Sequence, residues 1–388
     1  MALPPPSRLG RYRILSPNCG LRVSPLQLGA MSLGNVWDFM GPITKEQGFE
    51  LLDKYYDLGG NFIDTANTYH KGQSEEWIGE WMQKRGNRDE IVLATKYTSN
   101  PFNGLVDQHP IQVNLAGNSL KSMVTSLEHS LKRLQTTYVD IFYVHYWDWT
   151  TPVAELMQGL NNLVKAGKVL YLGISDTPAW VVSKCNAYAE AHGLSKFVIY
   201  QGRWSAVSRD MERDLLPMAA SEGMAIASWG TIGQGRFQTR AQRGKATEGR
   251  SAGALTDQDI AASDAMEKVA IELGVKNLAT IALAYVFAKY PYVFPVIGGR
   301  KVEHLESNLG ALDISLTPEQ VKSIDAALPF EYGEPMSMFG LDPRVWGWQQ
   351  HAQLQAAGIV DYVKWPQAID MTQARASDAE GKERNPIV

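Results

Sequence analysis

Short, nearly continuous apolar runs alternate along this chain with longer segments whose apolar positions recur every three to four residues. The runs are QLGA (27–30), NFID (61–64), IVLATK (91–96), VDIFYVH (139–145), VLYLGIS (169–175), FVIYQ (197–201), MAIASW (224–229) and YVFPVIG (292–298). Runs of this length without polar alternation mark strands buried on both faces, and hence a parallel sheet. Helical spacing covers 44–58, 74–84, 119–134, 152–166, 177–192, 210–222 and 277–290. The segment 152–166 opens TPVAEL, with proline just inside a helix, and closes on AGK. Repeated β–α alternation over roughly 290 residues predicts an α/β fold, a (β/α)8 or TIM barrel. The rival is a doubly wound sheet, and its fingerprint is missing. No G-x-G-x-x-G follows an early strand, and GTIGQGRF comes late without the third glycine.

Three segments stand outside the alternation. RYRIL and LRVSPLQLG flank the turn-rich SPNCG and predict an N-terminal β-hairpin over about 11–25. Residues 231–263 are glycine- and arginine-rich and too polar for a core; a long mobile loop after the seventh strand is expected there, at about 231–256. Residues 329–388 form an extended C-terminal tail that holds three tryptophans, unlike a disordered chain. The expected organisation is one catalytic barrel domain over 1–328, followed by an extension over 329–388. The extension's first part should pack on the barrel and its last dozen residues should fray. Residues 340–365 are expected to cover part of the barrel mouth or its flank.

Composition narrows the class without choosing a function. The chain has 388 residues, 45% hydrophobic and 20% charged, ample for a large core. A net charge of −4 argues against a nucleic-acid partner. Two cysteines, Cys19 and Cys185, are too few for a disulfide framework and fit a reducing compartment. The start MALPPPSRLGRYRIL has no signal pattern and NPIV no anchor motif. No apolar run approaches the roughly 18 residues that cross a bilayer. A soluble cytoplasmic protein without a membrane partner is the expectation.

Chemistry in such a barrel gathers at the carboxyl ends of the strands. NFID ends on Asp64, IVLATK on Lys96, VDIFYVH on His145, VLYLGIS on Ser175, FVIYQ on Gln201 and MAIASW on Trp229. Tyr69 lies just beyond Asp64. Taken singly, Asp64 is a turn cap or the partner of a cation, Tyr69 a packing residue, Lys96 a solvated loop lysine and His145 a satisfied core histidine. Taken together they are chemically compatible. An ammonium beside a phenol lowers the phenol's pKa, a carboxylate holds that ammonium, and an imidazole orients a substrate oxygen. Such a set can give a proton to a carbonyl oxygen, but it contains no hydride source, so a cofactor must supply the electrons. His70 and Asp148 read as surface residues. No spacing resembles a metal site.

GGNFIDTANTYHKGQSEEWIGEWM, LATKY, VDIFYVHYWD, YLGISD and PVIGGRKVEHLESNL together resemble the aldo-keto reductase superfamily, in order, from about Leu26 to Leu328. The resemblance implies a barrel that binds NADP(H) without a Rossmann domain. It implies a catalytic tetrad of Asp64, Tyr69, Lys96 and His145, with Tyr69 as proton donor. It also implies Ser175 and Gln201 at the nicotinamide carboxamide, with Asp176 where many members have asparagine. Trp204 would stack on the nicotinamide. Trp229, Gly230, Gly233, Gln234, Gly235 and Arg236 would cradle the pyrophosphate. After the eighth strand, Gly298 and Gly299 fall at the cofactor, Arg300 and Lys301 at its 2′-phosphate, and His304 and Asn308 at the adenine. The arginines of 236–250 would clamp the bound cofactor or belong to a solvated loop.

The tail DYVKWPQAI and the stretch GISDTPAWVV are similar to fungal norsolorinic acid reductase and aryl-alcohol dehydrogenase-like members. Trp37, Trp147 and Trp149 near strand ends suggest an aromatic-walled mouth for a flat substrate, although Trp147 and Trp149 could equally hold loop to barrel. The expected function is NADPH-dependent reduction of an aldehyde or ketone, aromatic or polyketide-like, reversible as alcohol oxidation. The alternatives are an NADPH-binding regulatory subunit with little turnover and a barrel enzyme of another chemistry.

Overall fold

A computed structural model describes residues 4–244, 254–346 and 351–370. Two antiparallel strands, β1 (Arg13–Ser16) and β2 (Cys19–Val23), form the hairpin. Eight parallel strands follow: β3 (Gln27–Gly29), β4 (Phe62–Asp64), β5 (Val92–Tyr97), β6 (Val139–Val144), β7 (Val169–Ser175), β8 (Phe197–Arg203), β9 (Ala225–Trp229) and β10 (Val296–Ile297). Their order is β10-β3-β4-β5-β6-β7-β8-β9. The seam closes just before β10, where Ile226 N–H donates to the Tyr292 carbonyl and Phe294 N–H to the Ile226 carbonyl, each at 2.8 Å. Pro295 has no N–H to give a ladder, so the expected last strand divides there, pairing with β9 before the proline and with β3 after it. The result is a TIM barrel.

Helices α1 (Lys45–Asp57), α2 (Gln73–Arg85), α3 (Leu120–Arg133), α4 (Val153–Lys165), α5 (Ala179–Ala191), α6 (Leu215–Ser221), α7 (Asp257–Glu272), α8 (Leu278–Lys289), α9 (Val302–Leu309) and α10 (Pro318–Asp325) surround the sheet. Their starts are chemically marked. Thr44, Thr256 and Thr317 each accept from the N–H three residues on, and the side chain at that position returns a bond to the cap N–H. α7 begins at Asp257, just past the loop expected at about 231–256, and takes in the last residues of the polar stretch 231–263, burying Ala262, Met266, Val269 and Ala270. Arg240 and Arg243 reach back to Asp264 of this helix, which ties the polar run to the barrel. The loop's arginine-bearing stretch 245–253 lies outside the described residues.

Leu15, Cys19 and Val23 of the hairpin share one apolar cluster with Phe62, Ile141, Ile199 and Phe294 inside the barrel. The hairpin therefore closes the amino-terminal end and leaves the opposite end as the mouth. Beyond the barrel, Phe330 lies under Arg209 and Arg213 at 5.0 and 4.9 Å. From Glu334 to Asp370 most described residues are exposed, including Ile359 and Val363, and Ser315 bonds Asp370 at 2.6 Å. The expected fraying end, beyond Asp370, is outside the described residues. Among the described residues, no helix is long and apolar enough to cross a membrane.

Candidate active site at the barrel mouth

β4 and β5 lie side by side with Asp64 opposite Ala94, which places the next inward position, Lys96, one step above Asp64. The Lys96 ammonium is fully buried. It donates to Asp64 Oδ2 at 2.6 Å and to the Thr65 carbonyl at 2.8 Å. Its remaining direction points to the Tyr69 hydroxyl, at 3.4 Å. The other Asp64 oxygen accepts from Gln201 Nε2 at 2.9 Å, from across the barrel. Among the described residues the Tyr69 hydroxyl donates its proton to no acceptor. The Tyr69 and His145 rings meet edge to face at 6.1 Å, and among the described residues the buried His145 Nδ1 has no hydrogen-bond partner.

Burial lowers the Lys96 pKa, but Asp64 and Tyr69 overcome it and the net shift is upward, so the ammonium stays charged. Burial raises the Tyr69 pKa. Lys96 opposes this as the largest lowering influence, yet the net direction is up. This corrects the expectation of a net-lowered phenol. A phenol of raised pKa is protonated at neutral pH, and the ammonium limits how hard its proton is to release. Burial, with Lys96 nearby, pushes His145 down to about 3, so the imidazole is neutral.

The residues implied for the cofactor spread over the rest of the mouth. Ser175 and Gln201 are buried at the ends of β7 and β8, and Asp176 has the left-handed φ of 38°. The Asp176 carboxyl is open to the mouth but flanked by protein, which raises its pKa against a hydrogen bond from Trp229 and the charge of Lys96. Trp204 is displaced from its expected place. Its indole is wholly buried and donates to Glu212 at 3.1 Å, so neither face of the ring is open to a nicotinamide. Trp229 is the half-exposed ring at this point, beside Asp176, with Arg203 over it at 5.9 Å.

Beyond Trp229 the backbone turns through positive φ at Gly230, Gly233, Gln234 and Gly235. A Cβ at Gly233 would meet the Phe237 ring at 2.6 Å, so glycine is required for space as well as for torsion. Arg236 faces Asp259 at 3.8 Å. A cleft of about 470 Å³ opens between α1 and the start of α9, lined by Gln47, Glu50, Arg300, Lys301, Glu303 and His304. Gly298, Gly299 and the buried Asn308 border a narrow crevice beside it. A polar cleft with three basic side chains suits a nucleotide phosphate.

The three tryptophans expected around the substrate diverge. Trp37 meets the Tyr69 ring edge to face at 6.2 Å. Trp147 is half-buried against the core. Trp149, at φ 65°, is 68% exposed and lies 6.4 Å from Trp180. Two residues read as surface are not loose. His70 is fully buried. Asp148 accepts from the N–H groups of Asn118, Thr150 and Thr151 and from both threonine hydroxyls. The DWTT sequence was the available sign of such a turn. Among the described residues no group of three or more His, Cys, Asp or Glu side chains could hold a metal.

Comparison with known proteins gives consistent matches over this same stretch of chain. The model of the Aldo/keto reductase family matches residues 25–329. Aryl-alcohol dehydrogenase (NADP(+)) of Phanerodontia chrysosporium is 50% identical over 374 residues, covering 93% of this chain and 95% of the relative. Norsolorinic acid reductase B of Dothistroma septosporum is 50% identical over 367 residues, 94% of this chain and 92% of the relative. Norsolorinic acid reductase A of Aspergillus parasiticus is 51% identical over 334 residues, 86% and 85% respectively.

Proposed function

The chain belongs to the aldo/keto reductase family and is an NADP-dependent oxidoreductase, and from that premise we propose that it interconverts an aromatic or polyketide-like carbonyl with its alcohol, using Tyr69 as the proton donor. NADP(H), when bound, would supply or accept the hydride. The observation that carries the assignment is the Tyr69 hydroxyl, held 3.4 Å from a buried ammonium with its own proton uncommitted. As negative charge grows on the carbonyl oxygen, Tyr69 gives that proton. Lys96 stabilises the phenolate left behind, and Asp64 keeps Lys96 charged and in place. His145, neutral and without a partner at Nδ1, directs the carbonyl oxygen. In the reverse direction the phenolate removes the alcohol proton.

Trp229 is the ring placed to stack on a nicotinamide, in place of Trp204. Because Gln201 has given its amide nitrogen to Asp64, a carboxamide N–H bond would fall to its oxygen. Gly230, Gly233 and Gly235 let backbone approach the pyrophosphate. Arg300, Lys301 and His304 line the cleft that would take the 2′-phosphate and adenosine. An aromatic substrate is favoured by Trp37 and Phe39, stacked at 5.4 Å beside Tyr69, and by the names of the relatives. The two free cysteines, Cys19 and Cys185, suit a cytoplasmic setting.

The test is NADPH oxidation with a panel of aromatic aldehydes, wild type beside Tyr69→Phe. General acid catalysis contributes about 10²–10⁴-fold, so the variant should lose turnover by that factor while retaining NADPH affinity. NADPH binding without turnover in wild type would favour the regulatory-subunit reading instead.

A further inference from the structure

His70 follows the proposed proton donor directly, and its burial contradicts the polar sequence YHKG around it. Its backbone and that of Lys71 are left-handed, at φ 49° and 58°. Two consecutive non-glycine residues in that region are costly and persist where the surroundings hold them. The turn aims the imidazole into the loop that follows β3. There His70 Nδ1 accepts from the N–H groups of Val36 and Trp37, both at 3.1 Å. The next amide back, Asn35 N–H, bonds Gln73 Oε1 at 2.6 Å. The imidazole also stacks on the Trp37 indole at 5.0 Å. Gly34 makes this approach possible, because a Cβ at that position would lie 2.3 Å from the His70 ring. One side chain thus fixes both the backbone and the ring of Trp37, which in turn meets Tyr69 and stacks with Phe39.

We propose that His70 is a specificity-determining positioning residue: by holding the 34–39 loop through Nδ1 it sets the aromatic wall of Trp37 and Phe39 beside Tyr69, and so selects carbonyl substrates that carry an extended flat ring system. The proposal rests on the reductase reading for its substrate. His70 itself touches no reacting atom. Accepting two N–H bonds requires an unprotonated Nδ1, and burial, which lowers the His70 pKa, favours that state. Asparagine tolerates left-handed backbone and carries an acceptor in a similar place, whereas leucine fills the space without one.

The experiment compares wild type, His70→Leu, His70→Asn, Trp37→Ala and the His70→Leu/Trp37→Ala double variant. Activity is read with 2-naphthaldehyde and with propanal, and amide hydrogen exchange is followed over 34–40. His70→Leu should expose the Val36 and Trp37 amides to exchange. It should lower kcat/KM for 2-naphthaldehyde by about tenfold, mainly through KM, while propanal kcat stays within about twofold. Trp37→Ala should lower the same ratio. The double variant should be no worse than either single one, since both remove one wall. His70→Asn should restore most of the protection and selectivity.

Unchanged exchange in His70→Leu, equal losses with both aldehydes, or additive losses in the double variant would overturn the proposal. If His70→Leu does not fold, an unchanged ratio in Trp37→Ala overturns it as well. If wild type reduces neither aldehyde, the reductase reading fails separately. Calorimetric binding of 2-naphthalenemethanol against propanol to the NADP(+) complex then decides the selectivity.

Discussion

Among the described residues, two of the buried charge clusters use similar residue types and differ in whether they are saturated. One lies at the mouth, around Asp64, Lys96 and Tyr69. The other lies in the helix layer, where Glu212 takes Arg209 at 2.8 Å, Lys289 at 2.8 Å and the Trp204 indole at 3.1 Å. Lys289 also pairs with Asp325 at 3.0 Å, and Arg209 reaches the Asp325 and Leu328 carbonyls. Each cluster contains a tyrosine of raised pKa. In the helix layer burial, with Glu212 and Asp325, raises Tyr285, and that phenol is hydrogen-bonded to Asp325. At the mouth Tyr69 faces an ammonium, and its proton is uncommitted. A closed network of this kind fixes helices against one another; an open one leaves a proton to give. Burial and charge alone do not separate the two.

Removing the central cation of the mouth should have the largest effect, because it strikes chemistry and folding together. Lys96→Met leaves Asp64 buried with Gln201 as its remaining side-chain partner among the described residues. Breaking a buried pair costs about 3–5 kcal/mol, so chemical denaturation should show a loss of that size. NADPH turnover should fall at least as far as in Tyr69→Phe, whose denaturation midpoint should stay near wild type. A Lys96→Met protein with normal turnover would place the proton donor elsewhere.

The matching change in the helix layer should separate stability from chemistry. Glu212→Gln removes the charge shared by Arg209 and Lys289 and keeps an acceptor for Trp204. Hydrogen bonds to charged groups are worth about 1.5–3 kcal/mol, and a loss in that range is expected on denaturation. Turnover at saturating NADPH should change little. If turnover fell as steeply as in Lys96→Met, the Trp204–Glu212 contact would be part of the machinery that sets Trp229, and the contrast between the clusters would fail.

How far the mouth was legible in the sequence follows from the same contrast. Asp64, Lys96 and His145 could be placed because each ends an apolar run, and strand ends in a barrel face the mouth. Trp204 could not, because it lies one residue past β8. Its N–H turns to the Trp229 carbonyl at 3.1 Å while its indole enters the helix layer beside Glu212. Only the partner eight residues later shows which way the ring goes. His70 was missed because polar neighbours suggest solvent, and a left-handed backbone leaves no mark in composition. Gly34, far away in sequence, is the residue that makes room for it. The polar run before α7 did not hide where it ends: the loop expected to about 256 meets a helix that begins at Asp257, capped by the T-x-x-D pattern of Thr256 and Asp259. The family itself was legible, since its motifs span the barrel in order.

The smallest expected effect concerns acid, and it distinguishes the mouth from the helix layer without disturbing either fold. His145 is pushed down to about 3 in the native protein, against an ordinary histidine near 6.5. Between those values the unfolded chain binds a proton at this position that the native chain does not. Stability therefore rises with pH across that window. The contribution is fully present above pH of roughly 6.5 and drains away as the pH falls toward about 3. One proton sets a ceiling on the slope of about 1.4 kcal/mol per pH unit, and partial exposure of the ring brings the real slope below it. His145→Gln cannot titrate, so its stability curve against pH should be flatter than wild type by that amount between pH 6 and 4 (roughly the middle of the window). Glu212→Gln should leave the histidine's share of the slope in place. If His145→Gln and wild type gave parallel curves, His145 would titrate normally in the folded protein. The neutral imidazole assigned to orienting the carbonyl would then be half charged near neutrality, and the division of labour between His145 and Lys96 would have to be redrawn.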